Sequence, residues 1–208
     1  MRVLPLFPTP IASFSDFITE KERLKLLKEV SAREHQPHAA LNGDGVSTHS
    51  SVNTTNGDPA WILSKDLKKR LQEAVYEYSD MFGCKRTQID NVWTNIQNKG
   101  SILNEHRHAG AMIAGALYLN VDQTCKLSFQ NPNPYIHSTP YPKNLHTSLN
   151  SELVNTKEPT FYMSHFYWIP VKNCLLVLFP AWLEHGGNKE VNTMDNRVVL
   201  SFNAGPQW

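Results

Sequence analysis

The sequence predicts an α+β fold in which helices are followed by an antiparallel jelly-roll sandwich or barrel. Two segments with helical periodicity lie within residues 1–88, and from residue 89 short strand-like segments are separated by Gly, Pro, Asn and Asp. Helices followed by a run of short strands are typical of α+β domains. The 208 residues suit one domain, so we expect a helical support over 1–88 and a jelly-roll core over 89–208.

The first part of the chain is predicted to contain two helices joined by a loop. A capping box that begins at Thr19 predicts a helix over 20–34. Asp58, followed by a proline, predicts the start of a second helix of about 24 residues that stops near Gly83. Residues 36–57 are rich in Gly, Ser, Thr, Asn and His, and this composition predicts a long surface loop.

The second part is predicted to contain six strands and one insertion. Each strand-like segment shows polar–apolar alternation or a short apolar run. Residues 131–168 are rich in Pro, Asn, Ser and Tyr, and they predict an insertion between strands. The predicted strands cover 91–98, 103–108, 111–119, 126–129, 175–179 and 197–204.

Composition narrows the classes of partner. The formal net charge is +1 and no Lys/Arg block stands out, so nucleic-acid binding is not expected. No apolar run approaches the ~20 residues of a membrane span, and no secretory-type segment opens the sequence. Cys84, Cys125 and Cys174 lack C-x-x-C spacing and predict free thiols, buried for the latter two. We therefore expect a reduced, cytoplasmic protein; its oligomeric state is left open, with a homodimer among the options.

Three histidines form the most informative pattern. His106 and His108 are spaced i, i+2, and side chains at that spacing in a strand point to the same face. His185, in the segment FPAWLEHGGN, could supply a third ligand and leave open positions on a metal ion. The alternative is that one histidine of the pair only hydrogen-bonds within the core, because a single H-x-H occurs often by chance.

Other polar residues lie on strand-like segments near these histidines. Arg197 opens an apolar run and shares one face with Ser201, where it would supply a fixed cation near the metal. A charged residue at the start of a strand is otherwise often solvated at the rim. Tyr118 either contacts a ligand or is a core aromatic with its hydroxyl satisfied nearby. Asn95 and Asn104 either contact a co-substrate or pair within the sheet.

The order H-x-H, His, Arg resembles the iron(II)/2-oxoglutarate oxygenases. The segments WTNIQNKGSILNEHRH, GALYLN, LVLFPAWLEH and RVVLSFN resemble in particular a bacterial and phage group distantly similar to prolyl hydroxylases, over 91–129 and 170–205. The resemblance implies a double-stranded β-helix (a jelly-roll or cupin-like fold) with helices packed outside, and Fe(II) and 2-oxoglutarate as cofactors. It also implies a dioxygenase that hydroxylates a C–H bond and releases succinate and CO2.

The resemblance also implies roles for individual residues. His106 and His185 would bind the metal, and His108 stands where most of the superfamily has Asp or Glu. A neutral imidazole at that position leaves the metal one unit more positive, which favours an anionic co-ligand. Arginine suits the distal carboxylate of 2-oxoglutarate because its planar guanidinium bonds bidentately. The candidate 2-oxoglutarate contacts are Arg197, Tyr118, Asn95, Asn104 and Ser201.

The substrate is expected to be a small molecule or a protein side chain, and the residues do not decide between them. It would reach the metal past the 36–57 loop and the 131–168 insertion. Aromatic and imidazole side chains in that insertion are our candidates for contacting it. These candidates are Tyr135, His137, Tyr141 and His146.

Two other classes of protein fit the same residues. Three histidines with an open position also bind catalytic zinc in hydrolases, and they would suit an iron thiol dioxygenase that does not use 2-oxoglutarate. A non-catalytic jelly-roll binding or virion-associated module is the second alternative, because His108 replaces the usual carboxylate. Metal content would separate the binding module from both kinds of enzyme.

Overall fold

The structure, a computed structural model, describes residues 8–49, 63–84, 87–133, 166–187 and 190–206. Two helices and twelve strands lie within these ranges. In chain order they are β1 (Ala12–Phe14), α1 (Glu20–Ser31), β2 (Gln36–Pro37), β3 (Leu41–Asn42), β4 (Gly45–Ser47), α2 (Lys65–Asp80), β5 (Thr87–Gln97), β6 (Ile102–Leu103), β7 (Ile113–Asn120), β8 (Lys126–Gln130), β9 (Phe166–Pro170), β10 (Leu176–Pro180), β11 (His185–Gly186) and β12 (Arg197–Pro206).

Two antiparallel sheets form the jelly roll that the sequence predicts. The larger sheet has the strand order β1-β10-β7-β12-β5-β4-β2, and the smaller has the order β11-β8-β9. One hydrophobic core contains side chains from both sheets, among them Leu127 and Phe129 of the smaller sheet and Val177 and Val199 of the larger. Strands β3 and β6 pair separately.

Both helices pack against the larger sheet through a second core, as expected. Leu26 of α1 and Leu71 of α2 are buried there together with Leu200 and Phe202 of β12. The predicted capping box at Thr19 is present: its hydroxyl accepts from the backbone N–H three residues on, and its own N–H donates to that residue's carboxylate. Neither helix of the described ranges is long and apolar enough to cross a membrane.

Helix α2 is shorter than the sequence predicts. It has 16 residues and begins after Ser64, whose hydroxyl accepts a hydrogen bond from the backbone N–H of Leu67 at 3.2 Å. A serine N-cap is as good a start signal as the aspartate at position 58, and the two compete in the sequence. Asp58 itself lies outside the described residues.

The prediction of one long loop over 36–57 is wrong for its first part. Strand β4 pairs with β5, and β2 pairs with β4, so this segment widens the larger sheet. Ser47 at the end of β4 is only 1% exposed. Strands of two or three residues are too short to show a period. They become regular through pairing, β4 with the 11-residue β5 and β2 with β4. Residues 50–57 lie outside the described ranges.

The predicted strand over 103–108 is also wrong beyond Leu103, where β6 ends. The backbone N–H of Asn104 donates to the carbonyl of Ala40, and that of His108 donates to Ala181, so successive residues bond to different segments. The predicted insertion ends earlier than expected, because β9 already begins at Phe166. The other predicted strands are present, with ends that differ by a few residues.

Candidate metal centre

Three imidazoles from two distant segments meet between the sheets. One ligand atom from each of His106, His108 and His185 lies within 4.8 Å of the others. His106 and His185 form an isolated antiparallel bridge, with backbone N–H···O distances of 3.0 and 3.1 Å. The backbone N–H of His108 is bonded to the carbonyl of Ala181 at 3.0 Å. The expected convergence therefore occurs without the regular strand from which it was argued.

A glycine allows the two segments to approach so closely. A Cβ atom at Gly186 would lie 2.8 Å from the carbonyl oxygen of Asn104 and 3.0 Å from the Cα of Glu105. Contacts this short with rigid backbone exclude a side chain at position 186. The residue after His185 must therefore be glycine for His106 to lie beside it.

Two of the rings are held in one tautomer by backbone carbonyls. The Nδ1 atoms of His106 and His185 lie 2.8 Å from the carbonyl oxygens of Asn104 and Leu183, respectively. A carbonyl oxygen only accepts, so each Nδ1 carries a proton and each neutral ring keeps its free lone pair on Nε2. Such outer hydrogen bonds are the usual means of orienting metal-binding histidines.

The spacing of His108 and His185 fits two ligands of one ion. Their rings are almost parallel, at 7°, and their Nε2 atoms are 3.1 Å apart. Metal–nitrogen bonds of ~2.1 Å at a right angle would place two nitrogens ~3.0 Å apart. The donor set and its spacing therefore suit a divalent transition metal.

Burial keeps the three rings neutral. It lowers the pKa of His108 to about 4 and the pKa of His185 well below its ordinary value, and the neighbouring imidazoles lower both further. Burial also lowers the pKa of His106. At neutral pH protons thus do not compete for these lone pairs. Glu105, the carboxylate next to His106 in the sequence, is not part of the cluster.

A buried cation lies in the same cavity. Arg197 is 7% exposed, and its guanidinium donates to the amide oxygen of Gln97. Within the described ranges no carboxylate forms an ion pair with it. A buried charge without a counter-ion is costly, so the site is suited to an anionic ligand. Tyr118 is nearby: burial raises the pKa of its hydroxyl, and the charge of Arg197 opposes that rise.

The cavity has a volume of about 280 Å³, near the lower end for small-molecule sites. The alternation in β12 predicted which face of the strand would carry Arg197 and Ser201, and that face lines the cavity from Arg197 to Asn203. Asn104 does not line it, because its side-chain amide bonds to Asn42 and to the carbonyl of Ala39. Tyr135, His137, Tyr141 and His146 lie outside the described residues. The candidate residues brought together here are His106, His108, His185, Arg197, Tyr118, Asn95 and Ser201.

Four residues that line the cavity or contact Arg197 were not predicted from the sequence. His38 and His49 line the cavity from the segment read as a surface loop, whose histidine content was the available signal. Trp93 lies between His49 and His108, with ring centroids at 4.9 and 5.6 Å. Gln97 could have been found as the cross-strand neighbour of Arg197, but only once the β5–β12 register was known.

A second cavity of about 240 Å³ shares Arg197 and Leu103 with the first. The hydroxyl of Ser128, which lines it, is buried and has no hydrogen-bond partner within the described residues. None of the three clustered histidines borders this cavity. We therefore assign the metal chemistry to the first cavity.

Comparisons with known proteins agree with this geometry. A prolyl-4-hydroxylase of Pseudomonas putida has a TM-score of 0.63 and 11% identity, covering 98% of this chain and 96% of its own. HygX of Streptomyces hygroscopicus, with nickel, 2-oxoglutarate and hygromycin B bound, has a TM-score of 0.58 and 12% identity over 96% and 84%. The α-ketoglutarate-dependent epimerase SnoN of nogalamycin biosynthesis has values of 0.57 and 14% over 95% and 79%.

At these identities the structural likeness establishes the fold, the double-stranded β-helix. No curated protein is significantly similar to the sequence. A family profile described as "Putative 2OG-Fe(II) oxygenase" matches residues 91–203, which is more than half of the chain and contains the histidine cluster and Arg197. The chain belongs to the family of 2-oxoglutarate/Fe(II) oxygenases.

Proposed function

We propose that this protein is an Fe(II)- and 2-oxoglutarate-dependent dioxygenase that hydroxylates a C–H bond of its substrate. One observation carries the proposal: one cavity is lined by three neutral imidazoles and by a buried guanidinium that has no carboxylate partner among the described residues. The three imidazoles suit a divalent metal, and the guanidinium suits an anionic co-substrate. A histidine cluster with a purely structural role would not need a buried guanidinium beside it.

His106, His108 and His185 would hold the iron. With O2 as oxidant, iron and 2-oxoglutarate supply the oxidising power for the hydroxylation, with succinate and CO2 as co-products. The protein contributes pre-orientation, because the bonds from Nδ1 to the carbonyls of Asn104 and Leu183 aim the lone pairs before any ion binds. His108 gives the site no carboxylate, so the dianionic co-substrate would meet no ligand of like charge.

Arg197 and Tyr118 would bind the distal carboxylate of 2-oxoglutarate. A guanidinium binds a carboxylate through two parallel hydrogen bonds, and a phenol adds a third donor. Both groups are deeply buried, at 7% and 1% exposure, so water competes little with the ligand for these bonds. Asn95 and Ser201 line the same cavity and would give the remaining polar contacts.

We place the enzyme in the reducing cytoplasm. The three cysteines of the described ranges, Cys84, Cys125 and Cys174, are free thiols, and the last two are buried. Free thiols are the rule in reducing compartments, and secreted proteins tend to oxidise them. The substrate would be a small molecule or a protein side chain.

The test is an anaerobic titration of the Fe(II)-loaded protein with 2-oxoglutarate, followed by the weak visible metal-to-ligand charge-transfer band. We expect a saturable band that is weakened or lost in Arg197→Ala, while Fe(II) binding is retained. Bound iron without a band would overturn the 2-oxoglutarate assignment and favour a three-histidine thiol dioxygenase or zinc hydrolase. Absence of metal binding would favour a non-catalytic jelly-roll module.

A further inference from the structure

A second pair of histidines lines the cavity beside the metal cluster. His38 follows β2 and His49 follows β4, so the added strands of the larger sheet place them there. The Nε2 atom of His38 lies 3.1 Å from the Nδ1 atom of His49. The ring of His49 packs edge-to-face on Trp93, and Trp93 in turn packs on His108. The pair is thus one aromatic ring away from a proposed metal ligand.

The hydrogen bonds of this pair fix its protons. The backbone N–H of Ala40 donates to Nδ1 of His38 at 3.2 Å, so that nitrogen carries no proton. The single proton of a neutral His38 therefore lies on Nε2 and is donated to Nδ1 of His49. By the same reasoning, the proton of His49 lies on its Nε2. Among the described residues, the carbonyl of His49 itself is the one acceptor recorded for an N–H of this ring.

The charged side chains around the cavity limit which substrate groups could bind next to the Nε2–H of His49. The described lining includes not one aspartate or glutamate. Of its two guanidiniums, that of Arg107 is paired with the carboxylate of Glu184 at 2.6 Å, and that of Arg197 has no carboxylate partner among the described residues. A cationic substrate group would therefore find no carboxylate in the described lining to pair with. A carbonyl oxygen, by contrast, accepts a hydrogen bond from an imidazole N–H and needs no counter-charge.

We propose that the Nε2–H of His49, positioned by His38, binds a carbonyl oxygen of the substrate beside the metal centre. The substrate class is then an amide or carboxylate rather than an amine. His49 determines specificity by touching the substrate, and His38 acts through His49 by fixing its tautomer. The proposal rests on the proposed function, because it names the substrate group that the oxygenase site would take.

The experiment is histidine-ring NMR on the full-length ¹⁵N-labelled protein, loaded with Zn(II) as a diamagnetic ion and with 2-oxoglutarate. Long-range ¹H–¹⁵N spectra should show both His38 and His49 as Nε2–H tautomers. N-methylacetamide, acetate and methylammonium are then titrated as probes at matched ionic strength. We expect N-methylacetamide, acetate or both to shift the Nε2 resonance of His49, and methylammonium to leave it unchanged.

The two carbonyl probes separate the two sources of the oxygen. A stronger response to N-methylacetamide identifies an amide substrate, and a stronger response to acetate identifies a carboxylate. An Nδ1–H tautomer of His49, a response to methylammonium alone, or no response to any probe would overturn the inference.

Variants test whether the Nε2–H of His49 is responsible for binding the carbonyl probe. His49→Phe should weaken binding of the effective carbonyl probe about three- to tenfold, as expected for one lost hydrogen bond, and His49→Gln, which keeps an N–H donor, should restore most of it. His38→Phe should leave a mixture of His49 tautomers. His35→Phe is the matched control: this histidine bonds to Thr94 in the same part of the fold and does not line the cavity.

The same spectra distinguish the two proposals. Zn(II) should move the ring resonances of His106 and His185, whatever His49 does. If Zn(II) shifts those resonances but no probe shifts the Nε2 resonance of His49, only the substrate inference fails. If a carbonyl probe shifts the His49 resonance but Zn(II) leaves those of His106 and His185 unchanged, the proposed oxygenase function fails instead.

Discussion

The guanidinium of Arg197 donates a hydrogen bond to the side-chain amide oxygen of Gln97, which lies directly opposite it in the β5–β12 ladder. Both side chains are buried, at 7% and 3% exposure. The amide holds the guanidinium in place without neutralising it. The positive charge of Arg197 therefore remains available to a ligand in the cavity.

Gln97→Glu is predicted to weaken 2-oxoglutarate binding at least about tenfold, because a carboxylate at this position would form an ion pair with Arg197 and compete with the co-substrate. Isothermal titration of 2-oxoglutarate into the anaerobic Fe(II) protein measures the effect. Gln97→Leu is the control: it removes the hydrogen bond but leaves the charge free, so its loss of affinity should be smaller. Equal affinities of the Glu variant and the natural protein would contradict the role given to Arg197.

His108→Asp is predicted to keep the metal and to reduce the affinity for 2-oxoglutarate about fivefold. A carboxylate is also a good ligand for Fe(II), but it adds one negative charge beside the dianionic co-substrate. Titrations with Fe(II), and then with 2-oxoglutarate, separate the two effects.

His108→Ala serves as the reference for His108→Asp, since it removes the ligand without replacing it. We expect it to bind Fe(II) more weakly than either the Asp variant or the natural protein. If His108→Ala binds Fe(II) as tightly as the natural protein, His108 is not a ligand.

The parts of the site that local sequence pattern predicts are those on regular elements. Arg197 and Ser201 lie on a ten-residue strand whose alternation is visible, and their shared face is the one observed. His106 and His108 are different: the strand predicted through them ends at Leu103, yet their two rings meet that of His185. Their convergence comes from backbone bonds to distant segments and from the missing side chain of Gly186, which no local pattern encodes.

His38 and His49 show the other limit of prediction. They lie beside strands of two and three residues that become regular only through pairing with β5 or with each other. The two rings are close because of the register in which these strands pair. The histidine content of residues 36–57 marks the segment as unusual, but it does not predict that His38 and His49 touch. The predicted start of α2 is wrong for a related reason: the sequence offers two good capping signals, and packing decides between them.

The metal-free protein is predicted to lose stability as the pH falls from about 6.5 to 4. Burial holds the pKa of His108 at about 4 in the folded state, whereas the unfolded chain has an ordinary value near 6.5. Between these values the unfolded state binds more protons, so the free energy of unfolding decreases as the pH falls. For His108 alone the loss amounts to about 3 kcal/mol.

Urea unfolding at several pH values checks this dependence, and His108→Asn isolates the contribution of one ring. The difference in unfolding free energy between the natural protein and the variant should change with pH through this window and be constant above pH 7. A constant difference throughout would mean that His108 is not held neutral. Saturating Fe(II) should steepen the dependence, because only neutral imidazoles bind the ion.

Gly115→Ala is predicted to destabilise the fold by about 1–3 kcal/mol or more through overpacking. A Cβ atom at Gly115 would lie 2.1 Å from Cζ of Phe202, which is fully buried in the core beneath the helices. Urea unfolding measures the loss, and Phe202→Leu provides the second arm of a double-mutant cycle. Because leucine vacates the position of the ring tip, the double variant should be more stable than the sum of the two single losses predicts. Strict additivity would show that the strand moves away and that the contact between Gly115 and Phe202 does not fix the spacing of β7 and β12.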